Sequence, residues 1–208
     1  MSDLERGYEK MLAGQYYSVP DAELEAMQAI ATEQCARLNA TGHNDGAARN
    51  DILKGFLKSY EGAVMIPRIT IEYGRHLSIG RHAFINTNCT ILDGAPVTIG
   101  DCVAIGPNVM ILTAGHSIVP EERYIVDPDT GDFIEARAIN KPITIEDHCW
   151  LGAGSIVLGG VTIGAGTTVA AGSVVTRSLP PRVLAGGSPT RVIREIPERE
   201  PIRPGQTP

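Results

Sequence analysis

The chain has 208 residues, 43% of them hydrophobic and 5% aromatic, so a large core must be filled by aliphatic and small side chains. Its formal net charge of −6 argues against a general nucleic-acid-binding protein, which needs clustered surplus Lys and Arg. No apolar run is long enough to span a membrane, and the opening MSDLERGYEK lacks the apolar region of a signal peptide. We expect a cytoplasmic protein with reduced, buried thiols at Cys35, Cys89, Cys102 and Cys149.

Residues 1–62 are rich in helix formers and are predicted to be a helical N-terminal segment. Pro20 and Asp21 give a helix start signal. The apolar stripe that follows at helical period comprises Leu24, Met27, Ile30, Ala31 and Gln34. A second helix is predicted within 45–60 and a short one within 3–14.

Residues 63–196 have a different rhythm, in which an aliphatic residue returns every six positions in three blocks. The marked positions are Ile79, Ile85, Ile91, Ile99, Ile105, Ile111, Ile145, Leu151, Val157, Ile163, Val169 and Val175. Two residues before most of them stands a small or branched residue, and glycine often follows. A repeat this short buries its core only by stacking one coil on the next. The pattern therefore predicts a mainly β fold, a left-handed parallel β-helix with three sides to each coil.

Interruptions of the repeat indicate where function could lie. The step from Ile91 to Ile99 is eight residues, so two extra residues bulge near LDGAP. The gap from Ile111 to Ile145 is 34 residues, which predicts an excursion loop at about 113–142. Residues 197–208 form a Pro-rich tail that we expect to be loose.

His116 lies at the base of this excursion loop. A neutral imidazole near pH 7 is a natural general base for taking a proton from a hydroxyl or an amine. The chain contains no Walker loop, dinucleotide fingerprint, HExxH or GxSxG motif that would indicate another chemistry.

The chain resembles the maltose and galactoside O-acetyltransferases of the hexapeptide-repeat superfamily. The resemblance is carried by YEKMLAGQYY, by the segments from YGRHLSIG to LTAGH and from KPITIEDHCW to GSVVT, and by AGGSPTRVIREI. It implies a homotrimer with acetyl-CoA, the coenzyme A co-substrate, in a groove between adjacent coils. It also implies that His116 deprotonates an acceptor hydroxyl, which attacks the thioester directly, without a metal.

The resemblance further implies residues around the acceptor and the cofactor. On the acceptor side it points to Glu72, Asn86 and Asp93, and we expect Trp150, the only Trp, to line the acceptor or pantetheine groove. The alternatives are a solvated Glu72, a side-chain ladder on the coil for Asn86, a plain turn role for Asp93 and a packing role for Trp150. On the cofactor side it points to Ala153, Ala171, Thr176, Arg177, Arg191 and Arg194. The guanidinium groups of the clustered arginines can bind phosphate groups with two parallel hydrogen bonds. In the alternative interpretation, these arginines form ion pairs with Glu195 and Glu198 at a solvated end of the chain.

Two departures from the family pattern leave the acceptor open. Val19 and Pro20 stand where the family has an acidic residue, and the excursion loop is longer than usual. Acetyl transfer to a non-sugar or amine acceptor, and a non-catalytic trimeric scaffold, therefore remain alternatives.

A zinc site of three His would need His at Glu121, which argues against a metal. His76 and His82, six residues apart, are expected together on the surface.

Overall fold

The computed structural model describes residues 7–42, 44–200 and 205. The helices are α1 (Gly7–Leu12), α2 (Ala22–Asn39), α3 (Gly46–Phe56) and α4 (Pro120–Arg123). The strands are β1 (Tyr17–Val19), β2 (Ser59–Tyr60), β3 (Val64–Met65), β4 (Thr70–Ile71), β5 (Leu77–Ile79), β6 (Phe84–Ile85), β7 (Thr90–Leu92), β8 (Val97–Ile99), β9 (Ala104–Ile105), β10 (Met110–Leu112), β11 (Ala114–Gly115), β12 (Tyr124–Val126), β13 (Phe133–Asn140), β14 (Ile143–Ile145), β15 (Trp150–Leu151), β16 (Ile156–Leu158), β17 (Thr162–Ile163), β18 (Thr168–Val169), β19 (Val174–Val175), β20 (Val183–Gly187) and β21 (Thr190–Glu195).

The predicted N-terminal helices are present, although residues 3–6 of the first prediction lie outside the described residues. Asp21 caps α2, since one of its carboxylate oxygens accepts the backbone N–H groups of Glu23 and Leu24. The buried face of α2 is formed by Leu24, Ala31, Cys35 and Leu38. The prediction that Ile30 belongs to this face is wrong, because a step of six residues turns a helix about 120° away from Leu24, and Ile30 is 61% exposed.

Most of the remaining strands form three parallel sheets, one for each side of a coil. The strand orders are β19-β16-β10-β7-β4, then β17-β14-β8-β5-β2, then β20-β18-β15-β9-β6-β3, the last extended by antiparallel β21. The register aligns Ile85, Ile105, Leu151 and Val169 on successive coils. The predicted parallel β-helix is confirmed, and its first strand, β2, begins at Ser59, just before the predicted boundary at residue 62.

The interior of the coils is filled by the twelve aliphatic residues that define the repeat, each no more than 1% exposed. The glycine that follows some of them allows close stacking rather than a special backbone angle. At Gly106, for example, a Cβ atom would lie 2.7 Å from the backbone nitrogen of Ala153 on the next coil. Positive φ angles occur instead three residues before the aliphatic residue, as at Asn108 and Gly154.

The predicted excursion loop is confirmed and has secondary structure of its own. Strand β13 pairs antiparallel with β11 and β12 along one edge and with β1 along the other. The loop therefore binds the N-terminal segment to the solenoid. A second, small core lies beneath this sheet and is formed by Met11, Tyr17, Leu24, Tyr73 and Ala138.

None of the helices in the described ranges is both long enough and apolar enough to cross a membrane. All four cysteines are free, and Cys35, Cys89 and Cys149 are buried as predicted. The prediction is wrong for Cys102, which is exposed because it occupies a coil turn with a φ of 56°. Of the predicted tail, residues 201–204 and 206–208 lie outside the described residues.

Candidate active site

A pocket of about 280 Å³ opens where the excursion loop, the N-terminal segment and the lower coils meet. Strand β13 supports it, with β1 on one edge and β11 on the other. The lining residues are Tyr17, Val19, Pro20, Asp21, Leu24, Glu25, Gln28, Glu72, Tyr73, Ala114, His116 and Ala138. The pocket thus combines one imidazole with three carboxylates, two phenols and an amide, and Lys and Arg are missing from this set.

The His116 ring has a defined orientation at the edge of this pocket. Its Nδ1 lies 2.7 Å from the backbone carbonyl oxygen of Arg137 on β13. Because a carbonyl oxygen only accepts hydrogen bonds, Nδ1 carries the proton in the neutral ring and Nε2 keeps its lone pair. The exposed side chain can therefore present a basic nitrogen to a molecule in the pocket.

Glu72 lies in a hydrogen-bonded group that also lines the pocket. The Gln28 side-chain N–H group donates to Glu72 Oε1 and to the Tyr73 hydroxyl oxygen, both at 3.0 Å. Burial raises the pKa of Glu72 above its usual value, the hydrogen bond from Gln28 opposes this rise, and the charge of Asp93 adds to it. The structure therefore brings Glu72 and His116, both candidate site residues from the sequence, into one pocket.

Asp93 lies behind the pocket rather than in it. Its side chain is fully buried, with Oδ1 2.8 Å from the Tyr73 backbone nitrogen and Oδ2 3.3 Å from the His76 backbone nitrogen. Asp93 does not line the pocket, because its side chain is buried and both carboxylate oxygens accept backbone N–H groups from the preceding coil. Asp93 instead holds the turn that carries Tyr73 and Glu72.

His76 is buried, so the expectation of a surface position shared with His82 is wrong for His76. Its Nδ1 lies 2.6 Å from the Asp93 carbonyl oxygen, and its Nε2 accepts from the Tyr8 hydroxyl at 3.1 Å. The ring also stacks against Tyr8 of α1, with centroids 5.7 Å apart. Helix α1 covers this turn, which the repeat pattern of the solenoid does not reveal.

Burial lowers the pKa of His76 below its usual value of 6.5, although the Asp93 carbonyl and carboxylate oppose this shift. The folded protein therefore binds fewer protons here than the unfolded chain as the pH falls through 6.5. We therefore expect wild type to lose stability as the pH falls from 6.5 toward the lowered pKa of His76. His76→Gln has no imidazole to protonate at this position, so it should lose less stability over the same pH range. Urea denaturation at pH 7.5, 6.5 and 5.5 measures the difference, and parallel pH profiles of the two proteins would contradict it.

Asn86 and Trp150 do not reach this pocket within one chain. Asn86 follows β6, and its Oδ1 accepts the Thr87 backbone N–H at 2.8 Å. Trp150, 56% exposed, lies on β15 between Ala104 and Thr168 of the same sheet. His116 instead follows β10 and β11, on a different side of the coil.

The predicted cofactor residues are exposed on the upper coils. Ala153 and Ala171 occupy equivalent turns of successive coils, linked by the hydrogen bond from the Gly172 N–H to the Ala153 carbonyl at 2.9 Å. Thr176 and Arg177 follow β19, while Arg191 and Arg194 lie on β21. Within the described ranges, none of these three arginines forms an ion pair with a carboxylate, including Glu195 and Glu198.

The sequence did not indicate Tyr17, Asp21, Gln28 or Tyr73 as site residues. Tyr17 enters the pocket through the pairing of β1 with β13, Asp21 and Gln28 enter with α2, and Tyr73 follows β4 of the solenoid. Within the described ranges, no group of three His, Cys, Asp or Glu side chains is placed to hold a metal ion.

Two sequence families match the chain. Residues 142–177 match the hexapeptide repeat of succinyl-transferase, and residues 10–62 match the maltose acetyltransferase hexapeptide capping motif. Nodulation protein L of Rhizobium meliloti (strain 1021) is 43% identical over 185 residues, which cover 88% of this chain and 96% of that protein.

Solved structures give the same result. A maltose O-acetyltransferase from Clostridium difficile 630 superposes with a TM-score of 0.84 at 34% identity, covering 93% of this chain and 98% of that one. A hexapeptide-repeat acetyltransferase of Vibrio cholerae O1 biovar eltor, complexed with acetyl coenzyme A, superposes with a TM-score of 0.79 at 37% identity, covering 95% and 100%. The chain therefore belongs to the hexapeptide-repeat acetyltransferase family that carries the maltose acetyltransferase capping motif, and it is an acetyltransferase.

Proposed function

We propose that this acetyltransferase moves the acetyl group of acetyl-CoA to a hydroxyl of a sugar of the maltose, glucose or galactoside type, with His116 as general base. The observation that carries the proposal is the orientation of His116, whose Nδ1–H is fixed by the Arg137 carbonyl at the edge of a polar pocket. The Clostridium relative is a maltose O-acetyltransferase, which supports a sugar as acceptor.

The reaction proceeds in one direct transfer. The free Nε2 of His116 takes the proton of the acceptor hydroxyl while its oxygen forms a bond to the thioester carbonyl carbon. The carbon–sulfur bond then breaks, and the leaving thiolate of coenzyme A takes the proton from His116. The products are the acetyl ester of the sugar and free coenzyme A.

The donor is proposed to lie along the upper coils. The exposed turns at Ala153 and Ala171 leave room beside the backbone for a pantetheine arm, and the exposed Arg191 and Arg194 can bind phosphate groups. The Vibrio relative, which was solved with acetyl coenzyme A, supports this choice of donor.

We further propose a homotrimer, in which a second copy brings Asn86 and Trp150 toward the His116 pocket. Asn86 and Trp150 lie on one side of the solenoid and His116 on another, and a neighbouring solenoid packed between them would bring the two sides together. Light scattering tests the assembly, with an expected mass of three times the 22.2 kDa chain. A monomer at working concentration would contradict this arrangement.

Thiol release from acetyl-CoA, measured with maltose, glucose, galactosides and several primary amines, tests the acceptor class. Release that depends on a sugar supports the proposal. Release that depends only on an amine would favour the alternative acceptor, for which the carboxylates Asp21, Glu25 and Glu72 in the pocket would suit a cation. No release with any acceptor, combined with no binding of coenzyme A, would favour a scaffold.

The arginine cluster makes a separate prediction about the cofactor. Charge-assisted hydrogen bonds to phosphate contribute about 1.5–3 kcal/mol, so Arg191→Ala combined with Arg194→Ala should weaken coenzyme A binding by at least about tenfold. Isothermal titration calorimetry measures the change. Arg75→Ala, an exposed arginine on a lower coil, is the control and should bind like wild type. Equal affinity of the double variant and wild type would contradict the assignment.

A further inference from the structure

Tyr17 faces His116 across a single small residue of the pocket floor. In the register of the excursion sheet, Tyr17 lies opposite Ala138 on one edge of β13. On the other edge Gly115 lies opposite Ile139, so continuation of that register places His116 opposite Ala138 as well. Adjacent strands lie about 5 Å apart, so the Tyr17 and His116 backbones are separated by about 10 Å with only a methyl group between them.

Residues opposite each other in antiparallel strands place their side chains on the same face of the sheet. Tyr17, Ala138 and His116 do line the same pocket. The gap above Ala138 is therefore bounded by an imidazole on one side and a phenol on the other. A polyhydroxylated ring in this gap would meet both groups at once.

The Tyr17 hydroxyl is held in place and stays protonated. Asn140 Nδ2 donates to it at 3.0 Å, and Asn140 itself is 1% exposed at the end of β13. Burial raises the pKa of Tyr17, with a smaller contribution in the same direction from the charge of Glu72. Asn140 takes one of the two hydrogen-bonding roles of this hydroxyl, and the other role is left for a group in the pocket.

We propose that Tyr17 binds the sugar hydroxyl next to the one that is acetylated, and so decides which hydroxyl reaches His116. The inference rests on the proposed function, since it assumes a sugar acceptor. Neighbouring hydroxyls of a sugar ring lie close enough to be held by two groups on the same pocket. Asn140 acts through Tyr17 and is a positioning residue.

The test compares wild type, Tyr17→Phe and Tyr16→Phe. The phenyl ring of the Tyr17→Phe variant keeps the packing against Met11, Leu24 and Tyr73, and the variant removes the hydroxyl together with its hydrogen bond from Asn140. Tyr16 is 45% exposed and does not line the pocket, which makes Tyr16→Phe the matched control. Each protein is assayed with the best sugar acceptor and with analogues that lack one hydroxyl next to the acetylated position.

We expect Tyr17→Phe to lower kcat/KM for the sugar by about 10- to 100-fold, with KM for acetyl-CoA unchanged. One deoxy analogue should lack the hydroxyl that Tyr17 binds. With this analogue, kcat/KM of wild type should fall to that of Tyr17→Phe, and kcat/KM of Tyr17→Phe should be the same as with the full sugar. Equal activity of Tyr17→Phe and wild type on the sugar would overturn this inference alone. The same conclusion would follow if, for every analogue, the loss caused by the missing sugar hydroxyl were as large in Tyr17→Phe as in wild type. Absence of sugar turnover by wild type would overturn the proposed function and this inference together.

Discussion

His116→Ala should lower the rate of acetyl transfer to the acceptor by about 10²- to 10⁴-fold, which is the usual contribution of a general base. In wild type, the contact between Nδ1 and the Arg137 carbonyl orients Nε2 of His116 to receive the acceptor proton. The variant removes the imidazole, so no group near the attacking oxygen receives this proton. Acceptor-dependent thiol release measures the rate. Binding of coenzyme A should remain that of wild type, because His116 lies outside the arginine cluster.

The control for this variant is His148→Asn. His148 is exposed at a coil turn with a φ of 59°, a conformation that Asn also tolerates. This variant should keep the wild-type rate. Retention of full acceptor-dependent turnover by His116→Ala would exclude His116 as the base, whatever the acceptor.

Ile163→Ala should reduce the free energy of unfolding by about 2–5 kcal/mol. Ile163 has no exposed surface, and it aligns with Ile145 on the coil before it and with Leu179 on the coil after it. Its truncation leaves a cavity bordered by two neighbouring coils. Because hydrogen bonds fix the register of these coils, they can move little to fill the cavity. Urea denaturation at fixed protein concentration measures the loss.

The neighbouring Thr162 provides the matched control, because its side chain lies on the outer face of the same strand. Thr162→Ala should change the free energy of unfolding by no more than about 0.5 kcal/mol. Similar losses for the two variants would contradict the assignment of the six-residue repeat to the interior of the solenoid.

The solenoid could be predicted from the sequence because its core residues recur with a single period of six residues. An aliphatic residue every six positions has to point into the coil, and the close approach at Gly106 shows how tightly successive coils stack. The position of the excursion loop followed from the same rule, as the place where the period fails. All twelve aliphatic residues that mark the repeat, from Ile79 to Val175, are accordingly buried in the interior.

The pocket itself could be predicted only in part. His116 and Glu72 stood out from the repeat and from the family resemblance, and the structure brings them together. Tyr17 did not stand out, because its place depends on pairing between β1 and β13, which are more than a hundred residues apart and carry no periodic signal. His76 and Asp93 were misplaced for a related reason, since α1 covers the turn that they form.

The most direct test of the account is the chemical identity of the product formed from ¹³C-acetyl-CoA and the best acceptor. Carbon NMR distinguishes an acetyl ester from an acetyl amide and locates the acetylated position. We predict a single sugar O-acetyl ester, formed by wild type and lost with His116→Ala. An N-acetyl product, or labelled free acetate without transfer to a sugar, would contradict it.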